Sequence, residues 1–370
     1  MPLLPTAPIR IQPYFGYRNR DRLLLTARAL RSRVGEFDKR SNWRAFRTMV
    51  SQFASHEVPE FPVELQIARP DGASHRHQGL TDKEGFVHFD IRLDPAWDYS
   101  DHPAWETVVI HWHDGTNDQS VDAHILAPGR DTQLAVISDI DDTIIETGIT
   151  GNFRQVLRNW RRVLVQMPEE RILVPGADVF YNALGGGEVL ANGTGHAGDR
   201  QSAPHRPFFY VSSSPWNLFS YLVTYMRGRN LPLGPIMLRD WGLNRETFGS
   251  GSHGAHKRAA IDGILATYPE FRFALIGDDS QGDLTAFADV VSNNPGRVRA
   301  VFIRKVGEAM TPEEVVAKKT IEAAKVPLWL GDRYDTGKRF LASIGLSRDE
   351  EASQIVDAVE HSDTAEEVLP

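Results

Sequence analysis

Four short apolar runs in the second part of the chain constrain its fold more than any other feature. Each run is continuous rather than alternating, and longer amphipathic segments separate one run from the next; the runs are 134–137, 208–211, 273–276 and 300–303. A strand that is apolar on both faces is typical of a parallel sheet covered by helices on both sides. The pattern therefore predicts an α/β fold with a doubly wound parallel sheet.

Residues 1–130 have a different period. Apolar and polar side chains alternate there in four segments, 63–67, 87–93, 108–112 and 121–125. Turn-forming residues stand beside these segments at 70–72 and 82–85. Alternating segments separated by turns predict a small β-sandwich-like domain that precedes the α/β domain. A helix is expected over 41–55.

Charge and glycine content subdivide the chain further. Residues 1–50 hold eleven Lys or Arg and three Asp or Glu, whereas 349–370 hold eight Asp or Glu and no Lys or Arg. The stretch 185–207 is rich in Gly, Ala, His and Ser, which is typical of a flexible insertion. We predict three parts, which are a β-rich domain with a basic front segment (1–130), the α/β domain (131–346) and an acidic, disordered tail (347–370).

Composition limits the partners and the compartment that we expect. The sequence has no cysteine, which excludes disulfides, thiolate catalysis and cysteine-based zinc sites. It shows no apolar stretch long enough for a transmembrane helix and no secretory signal pattern, so we expect a cytoplasmic protein. The basic front segment is either solvated surface or a face for peripheral contact with an anionic membrane. A net charge of −8, with no recognisable nucleic-acid motif, predicts no nucleic-acid partner.

The first chemical motif is DIDDT at 139–143, directly after an apolar run. Its carboxylates Asp139 and Asp141 stand two positions apart, so both can reach one ligand at the carboxyl end of the strand, where open α/β sheets bind ligands. Asp139 would attack phosphorus, and Asp141 would donate and later accept a proton. Thr143 would brace the turn and help to bind phosphate. The alternative is an ordinary acidic turn.

Two further motifs supply groups that suit a phosphate. In FFYVSSS an apolar run ends in hydroxyls, and Ser212 is placed to donate to a phosphate oxygen. The alternative is that Ser213 or Ser214 caps the following helix. In HKRAAIDGILATYP, Lys257 is expected to open a helix, where its charge opposes the helix dipole unless an anion is bound. The alternative there is a solvated lysine.

The fourth motif is IGDDSQGD at 276–283, which places Asp278, Asp279 and Asp283 after another apolar run. Mg²⁺ prefers oxygen ligands and keeps several waters, so one or two of these carboxylates together with Asp139 would suit it. The alternative is an Asx-type turn that caps a helix. Taken with the other motifs, the fourth predicts Mg²⁺ as the cofactor of a phosphatase.

The order of the four motifs resembles that of the haloacid dehalogenase superfamily. Longer strings narrow the resemblance to the lipin-like phosphatidate phosphatases, especially the actin-patch-associated phosphatase family and its bacterial-type relatives. Besides the motifs, the matching strings are PYFGY at 13–17, TDKEGF at 81–86, LPLGPIMLRDWG at 231–242 and AVFIRKV at 300–306. One departure from the family pattern is the insertion at 185–207, where a shorter loop is expected.

The resemblance implies a role for each site residue. Asp139 corresponds to a nucleophile that forms an aspartyl-phosphate, and Asp141 corresponds to the general acid and base. Ser212 and Lys257 correspond to residues that bind the substrate phosphate. The implied protein ligands of a single Mg²⁺ are Asp139, Asp278 and the Asp141 main-chain carbonyl, with Asp279 or Asp283 bound directly or through water.

Three functions are therefore weighed. The leading hypothesis is Mg²⁺-dependent hydrolysis of phosphatidate or a related lipid phosphate, and the alternative in the same reaction class is hydrolysis of soluble phosphoesters. A third hypothesis is a non-catalytic module that binds phospholipid or protein. The complete carboxylate set argues against the module, because phosphate binding alone has no use for a nucleophile.

Overall fold

The structure is a computed structural model, and it describes residues 7–31, 56–68, 72–141, 143–144, 173–186, 200–239, 251–280, 282–307 and 309–348. Several expectations fall outside these ranges. They concern the helix over 41–55, most of the turn at 70–72, the middle of the insertion and the acidic tail beyond Arg348.

Ten strands of the described residues form the first sheet. They are β1 (Ile9–Pro13), β2 (Gly16–Arg18), β3 (Arg22–Arg31), β4 (His56–Glu57), β5 (Pro62–Ala68), β6 (Ser74–Leu80), β7 (Phe86–Arg92), β8 (Ala104–His113), β9 (Asp118–Ala127) and, from later in the chain, β11 (Arg200–Ser202). The main order is β1-β3-β2-β9-β8-β5-β6, with β11 on β8 and both β4 and β7 on β3. Neighbours run antiparallel except β2 and β9, which are parallel.

The alternating segments of the sequence are confirmed as strands β5, β7, β8 and β9. The turn before β7 is also confirmed, since the Gly85 N–H donates to the Asp82 carbonyl over 3.0 Å. Gly85 has a φ of 79°, a left-handed conformation that favours glycine. The sandwich-like arrangement of residues 1–130 and the three-part division of the chain stay predictions.

A second sheet contains six strands, all parallel to their neighbours. They are β10 (Leu134–Asp139), β12 (Phe208–Pro215), β13 (Ile236–Arg239), β14 (Arg272–Asp278), β15 (Val298–Arg304) and β16 (Leu328–Gly331). The order is β13-β12-β10-β14-β15-β16, so the four apolar runs of the sequence form the four inner strands. The α/β class predicted from those runs is confirmed.

Helices lie against both faces of the second sheet. Those of the described residues are α1 (Ala177–Gly185), α2 (Phe219–Gly228), α3 (Gly251–Thr267), α4 (Asp283–Asn293), α5 (Pro312–Ala323) and α6 (Tyr334–Ser343). Successive side chains of a strand point to opposite faces. Accordingly Val136 shares a core with α1, α2 and α6, while Ala135 and Ile137 share another with α3, α4 and α5. Within the described ranges, no helix is long and apolar enough to cross a membrane.

Two local expectations differ from the structure. Helix α3 begins at Gly251, so the expectation that Lys257 opens it is wrong. The end of the insertion was expected to be flexible, but 200–202 pairs antiparallel with 104–106 of β8. Strand β5 pairs with β8 at 109–111 only. The earlier half of β8 therefore has free main-chain groups on the same edge, and 200–202 pairs with them.

The two sheets are joined through side chains as well as through the chain itself. Trp105 and Leu126 of the first sheet belong to the core that α3, α4 and α5 form on the second. Arg18 of β2 is fully buried and makes a bidentate ion pair with Glu106 of β8, at 2.6 and 2.7 Å. The Tyr268 hydroxyl, just after α3, donates to the Arg18 carbonyl over 3.0 Å. The first sheet therefore supports the helix that carries Lys257.

Candidate active site

Two of the predicted site residues lie at the carboxyl ends of neighbouring parallel strands, and a third lies on the strand beside them. Asp139 ends β10 and Asp278 ends β14. Asp139 pairs in register with Val211, so Ser212 lies one residue beyond it on β12. All three side chains are buried. The sheet thus brings together groups that are 139 residues apart in sequence, from 139 to 278.

A buried acidic cluster, formed by Asp139, Asp278 and Asp283, is the centre of the site. One carboxylate oxygen of each lies within 4.8 Å of the other two. The Lys257 ammonium lies 2.9 Å from Asp139 Oδ1 and 2.6 Å from Asp283 Oδ1. Lys257 reaches the cluster from the second turn of α3 and is only 3% exposed. The solvated alternative for this lysine is therefore wrong.

The backbone around Gly277 lets Asp283 join this cluster. Asp283 is the first residue of α4, after Gly282 in a left-handed conformation. Its Oδ2 accepts a hydrogen bond from the Asp278 N–H over 3.2 Å. A Cβ atom on Gly277 would lie 2.5 Å from that same Oδ2, closer than real contacts allow. Glycine at this position permits the close approach of strand end and helix start.

The charges of the cluster are unbalanced as far as the described residues show. Burial raises the pKa of Asp139 well above its usual range, against the opposing effect of Lys257. Burial, and after it the charge of Asp283, raises the pKa of Asp278 to about 7. Burial alone would lower the pKa of Lys257, but the attraction of Asp139 and Asp283 outweighs it and raises the pKa. In the described part of the chain one lysine thus faces three carboxylates, which favours binding of a further cation.

Asp141 is held apart from this cluster by two hydroxyls. Ser212 Oγ donates to Asp141 Oδ2 over 2.7 Å, and Ser214 Oγ donates to Asp141 Oδ1 over 3.2 Å. The Ser214 N–H in turn donates to Ser212 Oγ over 2.9 Å. Sequence reasoning gave Ser214 only a capping role and missed this contact. The run of three serines was the available signal.

Thr143 connects two carboxylates of the cluster. Its hydroxyl lies 3.1 Å from Asp278 Oδ2 and 3.4 Å from Asp139 Oδ2. The Tyr334 hydroxyl, at the start of α6, donates to the Thr143 carbonyl over 2.9 Å. The structure therefore places Thr143 as a brace, and it adds Tyr334, which no sequence motif singled out.

Asp279 is directed elsewhere. Its Oδ1 accepts hydrogen bonds from the N–H groups of Val306 and Gly307, at 2.6 and 3.0 Å. Of the two carboxylates that the sequence left as alternatives, Asp283 rather than Asp279 belongs to the acidic cluster of the described residues. The contacts of Asp279 fasten the end of β14 to the turn after β15.

The part of the chain that holds the site is similar to a known family of catalytic domains. Residues 134–305 match the family described as "Phosphatidate phosphatase APP1, catalytic domain". This range contains all eight predicted site residues, from Asp139 to Asp283. The resemblance to the lipin-like, actin-patch-associated phosphatidate phosphatase family is thereby confirmed for this part of the chain.

Two fungal proteins are similar to the chain. Phosphatidate phosphatase APP1 of Saccharomyces cerevisiae is 27% identical over 267 residues, which are 71% of this chain and 41% of that protein. An uncharacterized protein of Schizosaccharomyces pombe is 24% identical over 196 residues, which are 52% of this chain and 28% of that protein. The chain thus spans less than half the length of either relative. Among solved structures, a beta-glucuronidase of Bifidobacterium dentium aligns over 88% of this chain and 60% of its own, with 9% identity and a TM-score of 0.22, too low to indicate a shared fold.

Proposed function

We propose that the protein is a Mg²⁺-dependent phosphomonoester hydrolase with a haloacid dehalogenase-like, doubly wound catalytic domain, acting on phosphatidate or a related lipid phosphate. The observation that carries the proposal is the separation of Asp139 from Asp141. Asp139 lies in a cluster with a lysine, whereas Asp141 is bound by serine hydroxyls. Two nearby carboxylates in different environments are what a nucleophile and a general acid require.

The acidic cluster suits Mg²⁺. Its donors are carboxylate oxygens, the ligand type that this hard cation prefers. Asp139 Oδ1 is buried and accepts no hydrogen bond within the described part of the chain, so beside Lys257 it has capacity for another cationic partner. We assign the ion to Asp139, Asp278 and Asp283, with the Asp141 main-chain carbonyl as implied by the family. When bound, Mg²⁺ would neutralise phosphate charge beside the nucleophile.

Asp139 would act as the nucleophile. Its carboxylate forms a bond to phosphorus while the bond from phosphorus to the leaving alkoxide breaks, giving an aspartyl-phosphate. The Lys257 ammonium, 2.9 Å from Asp139, is placed to bind a phosphate oxygen during this step. Thr143 keeps Asp139 and Asp278 in position through its hydroxyl.

Asp141 would move the proton. In its protonated form it donates to the departing alkoxide, and the resulting carboxylate then removes a proton from the water that hydrolyses the intermediate. A protonated Asp141 also needs no hydrogen bond from Ser212. The Ser212 hydroxyl is then available to donate to a phosphate oxygen, which reconciles its contact with Asp141 and its proposed role with substrate.

The name of the matched family and of the yeast relative supports phosphatidate as the substrate. Soluble phosphoesters are the alternative, and rates on micellar and soluble phosphoesters would separate the two. Peripheral contact with a membrane through the basic front segment is part of the proposal. The described residues limit which side chains could make this contact, because four arginines of the basic front segment already form ion pairs; these are Arg18, Arg20, Arg22 and Arg28. Contact with lipid would then depend on other residues of that segment.

The proposal is tested by two asparagine variants. With a nitrophenyl phosphate, whose leaving group departs without a proton, Asp141→Asn should accumulate phosphoenzyme because no base activates water. Asp139→Asn should form none and should lose nearly all phosphate release on every substrate. Acid-quenched labelling and a phosphate assay with and without Mg²⁺ give the readouts. Full turnover by Asp139→Asn, or turnover that survives exhaustive chelation, would refute the mechanism.

A further inference from the structure

Two histidines and an aspartate from three separate segments of the chain meet at a position that is accessible to solvent. His102 precedes β8, Asp131 lies between β9 and β10, and His205 lies between β11 and β12. One ligand atom of each lies within 4.8 Å of the other two. We call this group the histidine cluster. Asp131 precedes β10 and Asp139 ends it, so the histidine cluster and the acidic cluster lie at opposite ends of that strand.

The spacing of the three side chains fits a tetrahedral ion. His102 Nδ1 lies 3.0 Å and His205 Nδ1 lies 3.8 Å from Asp131 Oδ2. Ligand atoms bound about 2.1 Å from one Zn²⁺ are about 3.4 Å apart at the tetrahedral angle, which falls between these two distances. The imidazole rings of the two histidines have centroids 5.2 Å apart. Two imidazoles on one tetrahedral Zn²⁺ would have centroids about 5.2 Å apart, because each centroid lies about 3.2 Å from the ion.

The main chain holds two of these side chains beside each other. The Arg130 N–H donates to the Ser100 carbonyl over 2.9 Å, which joins the segment of Asp131 to that of His102. A Cβ atom on Gly129 would lie 2.6 Å from Asp131 Oδ1 and 2.6 Å from His102 Cα, closer than real contacts allow. Glycine at this position therefore permits the close approach of the two segments.

The segment of His205 is also fixed. Strand β11 ends three residues before His205 and pairs with β8. The Arg206 N–H donates to the Gly185 carbonyl over 3.1 Å. The Arg206 guanidinium donates to the carbonyls of Leu184 and Leu346. Because all three segments are held by main-chain contacts, an ion at the histidine cluster would order little further chain on binding.

The donor set selects the class of cation. Imidazole nitrogens suit Zn²⁺, whereas Mg²⁺ takes oxygen ligands. Zinc sites with three protein ligands and a water in the fourth position include sets of two histidines and one carboxylate. We propose that the histidine cluster binds Zn²⁺, and that the ion ties the end of 185–207 to the segment that connects the two sheets. The proposal is independent of Mg²⁺ at the acidic cluster and of phosphate hydrolysis.

Titration of the full chain with Co²⁺, in an excess of Mg²⁺, tests the site. Tetrahedral Co²⁺ with histidine ligands absorbs visible light strongly, whereas six-coordinate Co²⁺ with oxygen ligands absorbs weakly, so the spectrum distinguishes the histidine cluster from the acidic cluster. We expect the strong absorption to appear and Zn²⁺ to displace the Co²⁺. The dissociation constant for Zn²⁺ should lie below about 10 μM.

Single variants assign the absorption to these residues. His102→Gln and His205→Gln should each weaken binding at least about tenfold, because loss of even an outer partner of a metal ligand costs that much. The matched control is His113→Gln, whose histidine also lies 3.0 Å from an aspartate, Asp118. Among the described residues that pair belongs to no group of metal-binding size, so the control should bind as the wild type does. Asp131→Asn replaces either cluster variant if circular dichroism shows that it does not fold.

The tie itself has separate readouts. Zn²⁺ should raise the thermal midpoint of the wild type and of His113→Gln, but not that of the cluster variants. It should also slow amide hydrogen exchange in β11 of the wild type. Weak absorption only, strong absorption that both cluster variants retain, or an equal loss in His113→Gln would overturn the zinc site, as would a dissociation constant above about 10 μM. Exchange in β11 that Zn²⁺ leaves unchanged would overturn the tie.

Discussion

At the scale of single residues, Lys257 determines how the acidic cluster is tolerated inside the protein. Without its ammonium, three buried carboxylates would face one another with no positive side chain of the described residues in contact. Removing one member of a buried ion pair costs about 3–5 kcal/mol, because the remaining charge is left unpaired. Lys257→Met should therefore lower the thermal midpoint of the metal-free protein.

The same substitution tests the cation site. Mg²⁺ should raise the midpoint of Lys257→Met by more than it raises that of the wild type, because the ion would then supply the missing positive charge. Calorimetry with and without Mg²⁺ measures both values. Lys319→Met, at an exposed position of α5, is the matched control and should change neither. An identical Mg²⁺ response in the variant and the wild type would count against a cation in this cluster.

Ser214 contacts Asp141, so we expect it to act through that carboxylate and not on a substrate directly. Its hydroxyl lies 3.2 and 3.3 Å from the two carboxylate oxygens, which limits the rotation of Asp141. Ser214→Ala should leave phosphoenzyme formation from a nitrophenyl phosphate unchanged and slow its hydrolysis about tenfold, the value of one hydrogen bond to a charged group. Rapid-quench kinetics measure the two steps. Ser214→Thr should restore the rate, and Ser343→Ala, whose hydroxyl bonds within α6, should have no effect. Equal slowing of both steps would contradict a positioning role.

The carboxylates of this site were accessible from sequence, but their partners were not. Asp139, Asp278 and Asp283 follow apolar runs, and parallel strands bring such positions to one edge. The contacts of Ser214 with Asp141 and of Tyr334 with Thr143 join residues 73 and 191 positions apart. No local pattern encodes such distances. Local sequence singled out Lys257 because it was expected at the start of a helix. It lies instead in the second turn of α3, and its partners are the carboxylates of Asp139 and Asp283.

At the scale of elements, alanine substitutions at two glycines should have opposite effects on stability. A Cβ atom on Gly277 would meet Asp283 at 2.5–2.9 Å, whereas one on Gly263 in α3 would meet nothing within 4 Å. Gly277→Ala should displace α4 from the end of β14 and destabilise the protein. Gly263→Ala should stabilise it by about 0.5–1 kcal/mol, the preference of a helix for alanine over glycine. Denaturant unfolding measures both, and a stable Gly277→Ala with normal Mg²⁺ affinity would contradict the close approach.

Inner strands were easier to predict than edge strands. The runs that became β10, β12, β14 and β15 are apolar on both faces because helices cover both sides of them. Edge strand β16 has four residues, of which one is buried, so its pattern is too short to distinguish a strand from a loop. Strand β11 could not be found at all from local sequence, because its conformation depends on the edge of β8 about 100 residues earlier.

At the scale of the whole molecule, the first sheet and the second are stabilised together. The Tyr14 ring packs edge-on against Phe219 of α2, with centroids 4.9 Å apart. Tyr17 packs in the same way against Phe209 of β12, at 5.6 Å. Aromatic side chains bury large areas, so separating the sheets would expose much apolar surface. We therefore expect the two sheets to unfold in one transition.

Glu106 offers the sharpest test of that expectation. Its carboxylate neutralises Arg18, which is fully buried. The Arg18 guanidinium also lies over the rings of Trp97 and Tyr99. The Arg18 carbonyl accepts a hydrogen bond from the Tyr268 hydroxyl. Glu106→Gln leaves the guanidinium unpaired and should cost about 3–5 kcal/mol. The control Glu64→Gln breaks an exposed pair with Arg76 and should cost less than about 1 kcal/mol. Arg18 also contacts Tyr268, the residue after α3, so the loss of stability should affect both sheets. Unfolding followed by tryptophan fluorescence and by far-ultraviolet circular dichroism should therefore show the same lowered midpoint. Two separated transitions in Glu106→Gln, with the later one at the wild-type midpoint, would show that the second sheet folds without support from the first.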